Sequence, residues 1–341
     1  MKKLIKEMVA YVPAPLENIN LAMNENHQIK WNELLKDEIL AISTEFHYPN
    51  YGDNQHIELR TTFAAYVGSK PENILVSTGS SQVLYYIFSM LAEKKVMVFD
   101  PDFFLYHDFI KMSGLEVVSP SIYEGLDVES VIAQIDAENV DLLIFSNPNN
   151  PLGTVFPRAD LLKIIDSVDC YVVADEAYID FYGDSLVDQV ATHPKLLVLR
   201  TMSKGWGLPG LRLGLTIASI DLVDYFNKAL GAFSTSDFNS RIAAAAMKHS
   251  EYMEQVVKEI CEIRSEWLIK FANKYGYKVY PSFTNFINVE VPDCIEVWQF
   301  LKDNHVNVSK FAPTNLRVSI GTKEEMARFE EVLDAYYAQK K

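Results

Sequence analysis

Short segments that are apolar at nearly every position alternate with longer amphipathic segments through the middle of the chain. Strands that are apolar throughout are buried on both faces, as in a parallel sheet that is covered by helices. Helical patterns lie between them, for example at residues 81–94 and 158–168. This alternation predicts an α/β fold with a mostly parallel central sheet and helices on both faces. The predicted strands are residues 74–78, 95–100, 142–146, 171–175, 196–200 and 213–219.

The character of the sequence changes after Thr235. Residues 236–276 contain few helix breakers and predict a long helix, and the remainder predicts a β-like run, a helix, a short strand pair and a closing helix. Such a mixture is typical of a smaller α+β domain. The beginning of the chain has weak periodicity and predicts an arm that packs with that domain. We therefore expect an N-terminal arm at residues 1–30, a large domain at residues 31–235 and a small domain at residues 236–341.

Charge and cysteine content argue against several classes of function. The chain has 341 residues, with 31 Lys and Arg against 46 Asp and Glu, and a net charge of −15. Such a chain is a poor partner for nucleic acid or an anionic membrane, because phosphate contact needs a basic surface. We expect neither a membrane span nor a secretion signal, since no apolar run approaches about 18 residues. Three widely spaced cysteines without a CxxC pair favour a reducing cytoplasm.

Polar and aromatic residues follow five of the predicted strands at their carboxyl ends, which is where ligands bind in open α/β sheets. Each feature alone has an ordinary explanation, such as a helix cap, a turn or a solvated lysine. Their position at one end of one predicted sheet favours a common site. The segments are residues 78–82, 100–103, 147–151, 175–178 and 201–204.

The chemistry of these segments matches a flat, phosphorylated ring that carries an aldehyde. Hydroxyl groups at a helix N-terminus, together with Arg212, can bind a phosphate, and an aromatic side chain can stack on the ring. Asp175 can keep a ring nitrogen protonated, because such an ion pair is worth roughly 4 kcal/mol at an effective dielectric constant near 20. Lys204 can form a Schiff base with an aldehyde. Together these groups predict pyridoxal phosphate as the cofactor.

A rival motif lies at residues 205–210, where GWGLPG matches the G-x-G-x-x-G pattern of dinucleotide-binding proteins. In those proteins a helix follows the glycines, within a crossover of about a dozen residues. Here only Leu211 and Arg212 separate the motif from the next predicted strand, and Pro209 disfavours a helix. We therefore reject a dehydrogenase.

Nine short segments match one enzyme family in its own order along nearly the whole chain. They are NEN (24–26), YPNY (48–51), TGSSQ (78–82), DPDFFLY (100–106), NPNNPLG (147–153), DEAY (175–178), TMSKGWGLPGLRLG (201–214), TNF (284–286) and LRVSIGT (316–322). With these segments the chain resembles the fold-type I, class I and II aminotransferases, and within them the histidinol-phosphate aminotransferase branch. The lysine segment joined to DEAY and NPNNPLG is a highly specific combination.

The resemblance implies roles for individual residues around pyridoxal phosphate. Lys204 would form the Schiff base and then move a proton, and Asp175 would pair with the ring nitrogen. Tyr178 and Asn150 would hydrogen-bond the phenolic oxygen of the cofactor, and Phe103 would stack on its ring. The residues that would hold the phosphate are Ser80, Ser81, Thr201, Ser203 and Arg212.

Three further residues complete the implied site. Tyr48 would reach the phosphate from the neighbouring subunit, which implies a homodimer with shared active sites. Arg317 would bind the α-carboxylate of the substrate through a bidentate fork, and Asn26 is a further candidate for substrate binding. No metal site is expected, because the histidines show no metal-ligand spacing.

The implied reaction is transamination by a ping-pong mechanism, in which a small amino donor loads the cofactor and a 2-oxo acid such as 2-oxoglutarate removes the amino group. Histidinol phosphate is the first choice of donor. Relatives that use it carry an arginine eight residues before the carboxylate arginine, whereas this chain has Ser309. An aromatic or neutral amino acid as donor, and decarboxylation of the threonine-phosphate type, therefore stay open. A non-catalytic binding protein is the alternative from another class, against which the intact Lys204, Asp175 and Arg317 speak.

Overall fold

The computed structural model describes residue 15 and residues 19–340, which form two β-sheets with helices packed around them. Residues 1–14 and 16–18 of the predicted arm therefore lie outside the described residues. The strands of the described part are β1 (Ile19–Leu21), β2 (Ile74–Thr78), β3 (Lys95–Val98), β4 (Glu116–Val118), β5 (Leu142–Ser146), β6 (Tyr171–Asp175), β7 (Leu196–Thr201), β8 (Leu213–Ile217), β9 (Lys278–Val279), β10 (Phe286–Glu290), β11 (Val306–Ala312) and β12 (Asn315–Ser319).

The larger sheet has seven strands in the order β2-β8-β7-β6-β5-β3-β4. Its pairs from β7 to β4 are parallel, and only β8 runs antiparallel to its neighbours. The direction of β8 follows from the short connection after Thr201, because a parallel crossover needs about a dozen residues and a helix. All six predicted strands are present. The edge strand β4 was missed, since its three residues are too short and too exposed to give an apolar run.

Alternate residues of the central strands enter two separate hydrophobic cores. In β5, Leu142 and Ile144 belong to one core, whereas Leu143 and Phe145 belong to the other. Since successive side chains of a strand point to opposite faces, each face of the sheet is buried under its own layer. The prediction of a mostly parallel sheet with helices on both faces is confirmed.

The helices of the described part lie around and beyond this sheet. They are α1 (Trp31–Leu34), α2 (Lys36–Glu45), α3 (Ile57–Val67), α4 (Gly79–Met90), α5 (Phe104–Ser113), α6 (Val128–Glu138), α7 (Arg158–Ser167), α8 (Ile220–Ala229), α9 (Asp237–Met247), α10 (Ser250–Tyr275), α11 (Cys294–Asp303) and α12 (Lys323–Ala338). The single long helix predicted at residues 236–276 is wrong, because α9 and α10 are separate. Helix α9 ends at Met247 and α10 begins at Ser250, because the backbone of His249 (φ −115°, ψ 39°) departs from the helical conformation.

The smaller sheet has the strand order β1-β11-β12-β10-β9. Strand β1 pairs in parallel with β11, so residues 19–21 of the predicted arm extend this sheet. The division of the chain at residues 30 and 235 stays a prediction. Within residues 15 and 19–340, no helix is both long and apolar enough to cross a lipid bilayer.

Candidate active site

The strands β5, β6 and β7 are parallel neighbours, so their carboxyl ends share one edge of the larger sheet. Asp175 is the last residue of β6, and Lys204 follows β7 by three residues. The amine of Lys204 donates a hydrogen bond to the carbonyl oxygen of Met23 at 2.8 Å. The edge predicted to bind a ligand therefore brings a carboxylate and an amine together, and the backbone at Met23 contacts the amine.

The amine of Lys204 is poised to exchange a proton near neutral pH. Burial, together with neighbouring guanidinium groups, lowers the pKa of Lys204 to about 8, and neighbouring carboxylates partly oppose this effect. An amine of this pKa can serve as an acid and as a base at physiological pH. The charged groups that act on Lys204 are Arg317, Glu25, Arg212 and Asp175.

Asp175 is a buried carboxylate whose described partners are neutral. Its oxygens accept hydrogen bonds from the hydroxyl of Tyr106 at 2.7 Å and from the backbone N–H of Ala177 at 3.1 Å. Burial raises the pKa of Asp175, and these hydrogen bonds offset part of the effect. Within the described residues Asp175 forms no ion pair, so the charged carboxylate calls for a cation from a ligand.

Tyr178 presents a hydroxyl group that two amides hold in place. Its oxygen accepts hydrogen bonds from Nδ2 of Asn24 at 2.8 Å and from Nδ2 of Asn150 at 3.4 Å. Among the described residues no acceptor takes the hydroxyl proton of Tyr178, so that proton can be donated to a ligand oxygen. Burial raises the pKa of Tyr178, which keeps the phenol protonated at neutral pH.

Arg317 of β12 reaches the same space from the small sheet. Its Nη1 donates to Oδ1 of Asn150 at 2.5 Å, and its Nη2 donates to the carbonyl oxygen of Ala22 at 2.7 Å. The guanidinium lies over the ring of Phe286, with 5.3 Å between its carbon and the ring centroid. Its buried Nε has no hydrogen-bond partner within the described chain. A guanidinium that keeps an unpaired N–H donor is suited to binding a carboxylate ligand.

The first turn of α4 forms a cradle for an anion. A Cβ at Gly79 would lie 2.7 Å from Nη2 of Arg212, and a Cβ at Gly214 would lie 2.5 Å from the backbone of Gly79 and Ser80. Strand β8 therefore packs closely against the backbone at the start of α4, and the guanidinium of Arg212 lies beside Gly79. No side chain caps α4, and the hydroxyls of Ser80 and Ser81 have no hydrogen-bond partner within the described residues. These free donors fit a phosphate.

The remaining predicted site residues are Thr201, Ser203, Phe103, Asn26 and Tyr48. Thr201 and Ser203 are buried beside Lys204, and the Ser203 N–H donates to Oγ1 of Thr201 at 3.1 Å. Phe103 precedes α5 and packs edge to face on Tyr106. Nδ2 of Asn26 donates to the Gly205 carbonyl at 2.9 Å, and the exposed Tyr48 contacts Ser43 of its own chain.

Sequence reasoning missed several residues that hold the site together. Asp102 is buried and accepts hydrogen bonds from the backbone and hydroxyl of Ser146, and burial raises its pKa to about 8. The hydroxyl of Tyr106 donates a hydrogen bond to Asp175, and the side-chain amide of Asn24 donates one to Tyr178. The spacing of Tyr106, one helical turn after Phe103, was a usable signal, since such residues share a helix face.

The comparisons with known proteins agree with this geometry. Residues 17–333 match the aminotransferase class I and II family. The chain belongs to this family. It is 31% identical to the histidinol-phosphate aminotransferase of Clostridium novyi (strain NT), over 90% of this chain and 88% of the relative. This relative places the aminotransferase in the histidinol-phosphate branch, as its motifs predicted.

Solved structures confirm the fold. The histidinol-phosphate aminotransferase of Sinorhizobium meliloti in complex with pyridoxal 5'-phosphate superposes with a TM-score of 0.85 at 22% identity, covering 98% of both chains. The L-threonine-O-3-phosphate decarboxylase of Porphyromonas gingivalis superposes with a TM-score of 0.81 at 18% identity, covering 94% of this chain and 99% of that one. Because both superpose this well, the fold alone does not distinguish the two reactions.

Family membership makes this chain a pyridoxal-phosphate-dependent aminotransferase, so the predicted enzyme class and cofactor are confirmed. The described residues fit the cofactor on physical grounds. The anion cradle at α4 suits its phosphate, the donor hydroxyl of Tyr178 suits its phenolic oxygen, and the buried Asp175 suits its ring nitrogen. The described residues contain no group of three or more His, Cys, Asp and Glu side chains that could hold a metal ion.

Proposed function

We propose that this aminotransferase takes the amino group of histidinol phosphate and passes it to a 2-oxo acid such as 2-oxoglutarate. The observation that carries the proposal is the convergence of Lys204, Asp175 and Arg317 on one space. A proton-exchanging amine, a carboxylate for a ring nitrogen and a guanidinium for a substrate carboxylate are the groups that transamination of an amino acid or amino alcohol needs. The relative from Clostridium novyi, which is named for this donor, supports the choice.

The cofactor supplies an electrophilic aldehyde and an electron-withdrawing ring, which stabilises negative charge at the α-carbon of the donor. In the proposed arrangement Asp175 would hold the ring nitrogen, Tyr178 and Asn150 would hydrogen-bond the phenolic oxygen, and Phe103 would stack on the ring. The residues that would hold the phosphate are Ser80, Ser81, Thr201, Ser203 and Arg212.

Lys204 moves the proton in this proposal. Its Nζ would take the proton from the α-carbon of the donor and would return it to the C4′ carbon of the cofactor, so the amine would act first as a base and then as an acid. A pKa of about 8, which follows from burial and from the neighbouring guanidinium groups, allows both directions near neutral pH. The carbonyl of Met23 accepts a hydrogen bond from this amine and so holds the free amine in one position.

Arg317 binds the carboxylate of the 2-oxo acid. Its Nε has no partner in the described chain, and its Nη2 holds only the Ala22 carbonyl, so the two donors can be offered to one carboxylate. Asn150 keeps the guanidinium in place through its bond to Nη1. Asn26 is a further candidate for substrate binding, and its Nδ2 donates to the carbonyl of Gly205, next to Lys204.

A second donor class is favoured by Ser309. This residue lies directly opposite Arg317 in the β11–β12 pair, so the two side chains share one face of the sheet. A phosphate group there would meet a neutral hydroxyl, whereas Lys310 belongs to the opposite face. An aromatic or neutral amino acid, which needs no second cation, is therefore the alternative donor.

The enzyme is proposed to be a cytoplasmic homodimer with shared sites, built from the arm, large and small domains given by the sequence. The 64% exposed Tyr48 and the 79% exposed Tyr51 support a partner surface, since such aromatics are costly to leave in water. Free thiols at Cys170, Cys261 and Cys294 support a reducing compartment. Mixing Lys204→Ala and Tyr48→Ala subunits should restore activity, because one site of each mixed dimer is intact. Mixtures that stay inactive would contradict shared sites.

A donor screen tests the proposed reaction. Purified holoenzyme is mixed with one candidate at a time, and the loss of cofactor colour reports the first half-reaction. Histidinol phosphate should react fastest, and a 2-oxo acid should restore the colour. A fast response to phenylalanine with none to histidinol phosphate would overturn the donor. Release of carbon dioxide in place of an oxo product would overturn transamination, and a colourless protein without a borohydride-stable label on Lys204 would favour a binding protein.

A further inference from the structure

The strap at residues 20–28 contacts Lys204 and its chain neighbour from two positions. The carbonyl of Met23 accepts a hydrogen bond from the Lys204 amine at 2.8 Å, and Nδ2 of Asn26 donates to the carbonyl of Gly205 at 2.9 Å. The part of the strap between these two contacts is therefore held against the amine.

Glu25 lies in that part of the strap. Its carboxylate acts on the ammonium of Lys204, where it opposes the positive charges nearby. The carboxylate is about half withdrawn from solvent, and Nδ2 of Asn20 donates to its Oε2 at 3.3 Å. Glu25 thus places a negative charge near the reactive amine, on a segment that hydrogen-bonds to Lys204 and Gly205.

His27 lies between two carboxylates. Its Nδ1 is 2.8 Å from Oε1 of Glu325, and its Nε2 is 3.4 Å from Oε2 of Glu25. A neutral imidazole donates from one nitrogen only, so an arrangement with a carboxylate at each nitrogen requires the imidazolium. Hydrogen bonds to Glu25 and Glu325 raise the pKa of His27 to about 10, which agrees with this geometry.

Glu325 is a fixed support for the imidazolium. It occupies the first turn of α12 and forms a capping box with Thr322, whose N–H donates to Oε2 at 2.7 Å and whose Oγ1 accepts from the Glu325 N–H at 3.2 Å. One carboxylate oxygen is held by the cap, and the other faces His27. A second tie joins the strap to this turn, since Nε2 of Gln28 donates to the carbonyl of Gly321 at 3.1 Å.

We propose that His27 is a positioning residue, which as an imidazolium anchored on Glu325 holds the carboxylate of Glu25 beside the amine of Lys204. The proton affinity of this amine then depends on a charge that the small domain keeps in place. The inference rests on the proposed role of Lys204 in transamination. Burial lowers the pKa of Lys204, as do Arg317 and Arg212, whereas Glu25 and Asp175 raise it.

The test measures the amine itself in the protein without cofactor. An amine-acylating reagent is applied over a pH series, and the labelling of Lys204 is followed by peptide mass spectrometry. Glu25→Gln should lower the midpoint of labelling by about half a pH unit or more, because a negative charge is lost. His27→Gln should shift it in the same direction, and the double variant should shift it no further than Glu25→Gln alone. His27→Arg, which keeps a cation, should stay near the parent value.

Controls make the outcome decisive. Glu324→Gln changes an exposed carboxylate in the same turn of α12 and should leave the midpoint unchanged. If His27→Gln fails to fold by circular dichroism, Glu325→Gln replaces it, because its amide oxygen can still accept the cap hydrogen bond. An unchanged midpoint in Glu25→Gln, or fully additive shifts in the double variant, would overturn the proposal. Since no cofactor or donor is present, failure here is separate from failure of the proposed reaction.

Discussion

The hydroxyl of Tyr106 donates a hydrogen bond to Oδ2 of Asp175 across 2.7 Å, and both residues are buried. Tyr106 belongs to α5 and Asp175 ends β6, so the bond joins a helix to the ligand-binding edge of the sheet. A hydrogen bond to the charged carboxylate lowers its pKa, which offsets part of the rise caused by burial. The acid is therefore prepared for a cationic partner before a ligand arrives.

Removal of this hydroxyl should weaken cofactor binding. Tyr106→Phe leaves Asp175 with one described donor, and we expect the affinity for pyridoxal phosphate to fall by about tenfold, since a lost hydrogen bond to a buried charge costs about 1–3 kcal/mol. Equilibrium dialysis of the protein against the cofactor measures the change. Tyr85→Phe is the control, because the described contacts of the Tyr85 side chain are aromatic ring contacts. Equal affinities for the two variants would contradict this reading.

The close approach of β8 to α4 gives a second test. In Gly214→Ala the new Cβ would meet the backbone of Gly79 and Ser80 at 2.5 Å, so the helix start must shift. We expect cofactor affinity to fall about tenfold or more, and the melting temperature to fall as well, because overpacking costs about 1–3 kcal/mol. Gly210→Ala is matched, since a Cβ there meets nothing within 4 Å. If Gly214→Ala binds the cofactor as tightly as the parent protein, the displacement of the start of α4 does not impair the proposed phosphate site.

Lys204→Ala should abolish transamination. Loss of a general acid and base lowers rates by about 10²–10⁴-fold, and loss of the covalent attachment adds to this effect. Turnover with the best donor of the screen is the measurement, and borohydride should no longer fix the cofactor to the chain. Lys195→Ala removes an exposed lysine paired with Asp169 and should retain full activity. Substantial turnover by Lys204→Ala would refute the assigned role.

The contribution of His27 to folding should depend on pH. Its pKa is raised from 6.5 to about 10 by hydrogen bonds to Glu25 and Glu325, so its stabilising effect is complete below about pH 6.5 and is lost as the pH rises to about 10. Urea unfolding of the parent and His27→Gln should differ by about 1 kcal/mol or more at pH 6.5, and should converge near pH 10. His47→Gln, which removes a histidine without an ion pair in the described residues, should give no such trend. If the difference in the free energy of unfolding between the two proteins does not change with pH, His27 is not an imidazolium in the folded protein.

Position 309 should control the use of phosphorylated donors. Ser309→Arg places a cation opposite Arg317 on the same face of the small sheet, so the Michaelis constant for histidinol phosphate should fall, by about tenfold for one added charged hydrogen bond. The constant for phenylalanine should change little. Lys310→Ala alters the other face and should affect neither donor. If Ser309→Arg does not lower the Michaelis constant for histidinol phosphate, the residue at position 309 does not determine donor specificity.

The sequence determined six of the seven strands of the large sheet, because their apolar runs are local features, whereas the order of the strands in the sheet came from the structure. Lys204, Asp175 and the turn proposed to bind phosphate were predicted as site residues for the same reason, since each lies at or just after the end of a strand. Residues whose partners lie far away along the sequence were harder to predict. Tyr106 lies in a matching segment, yet its bond to Asp175 spans 69 residues, and Asn24 reaches Tyr178 across 154 residues. No local pattern carries such a pairing.

By itself, the sequence determined where strands end and which chemical groups stand there, because hydrophobic periodicity and turn composition act over a few residues. Only the tertiary structure decided which groups share a charge environment. The amine of Lys204 has a pKa of about 8 because burial and four charged groups from separate parts of the chain meet around it. Electrostatic interactions depend on distance in space, and that distance exists only after the strap, the sheets and α12 have packed together.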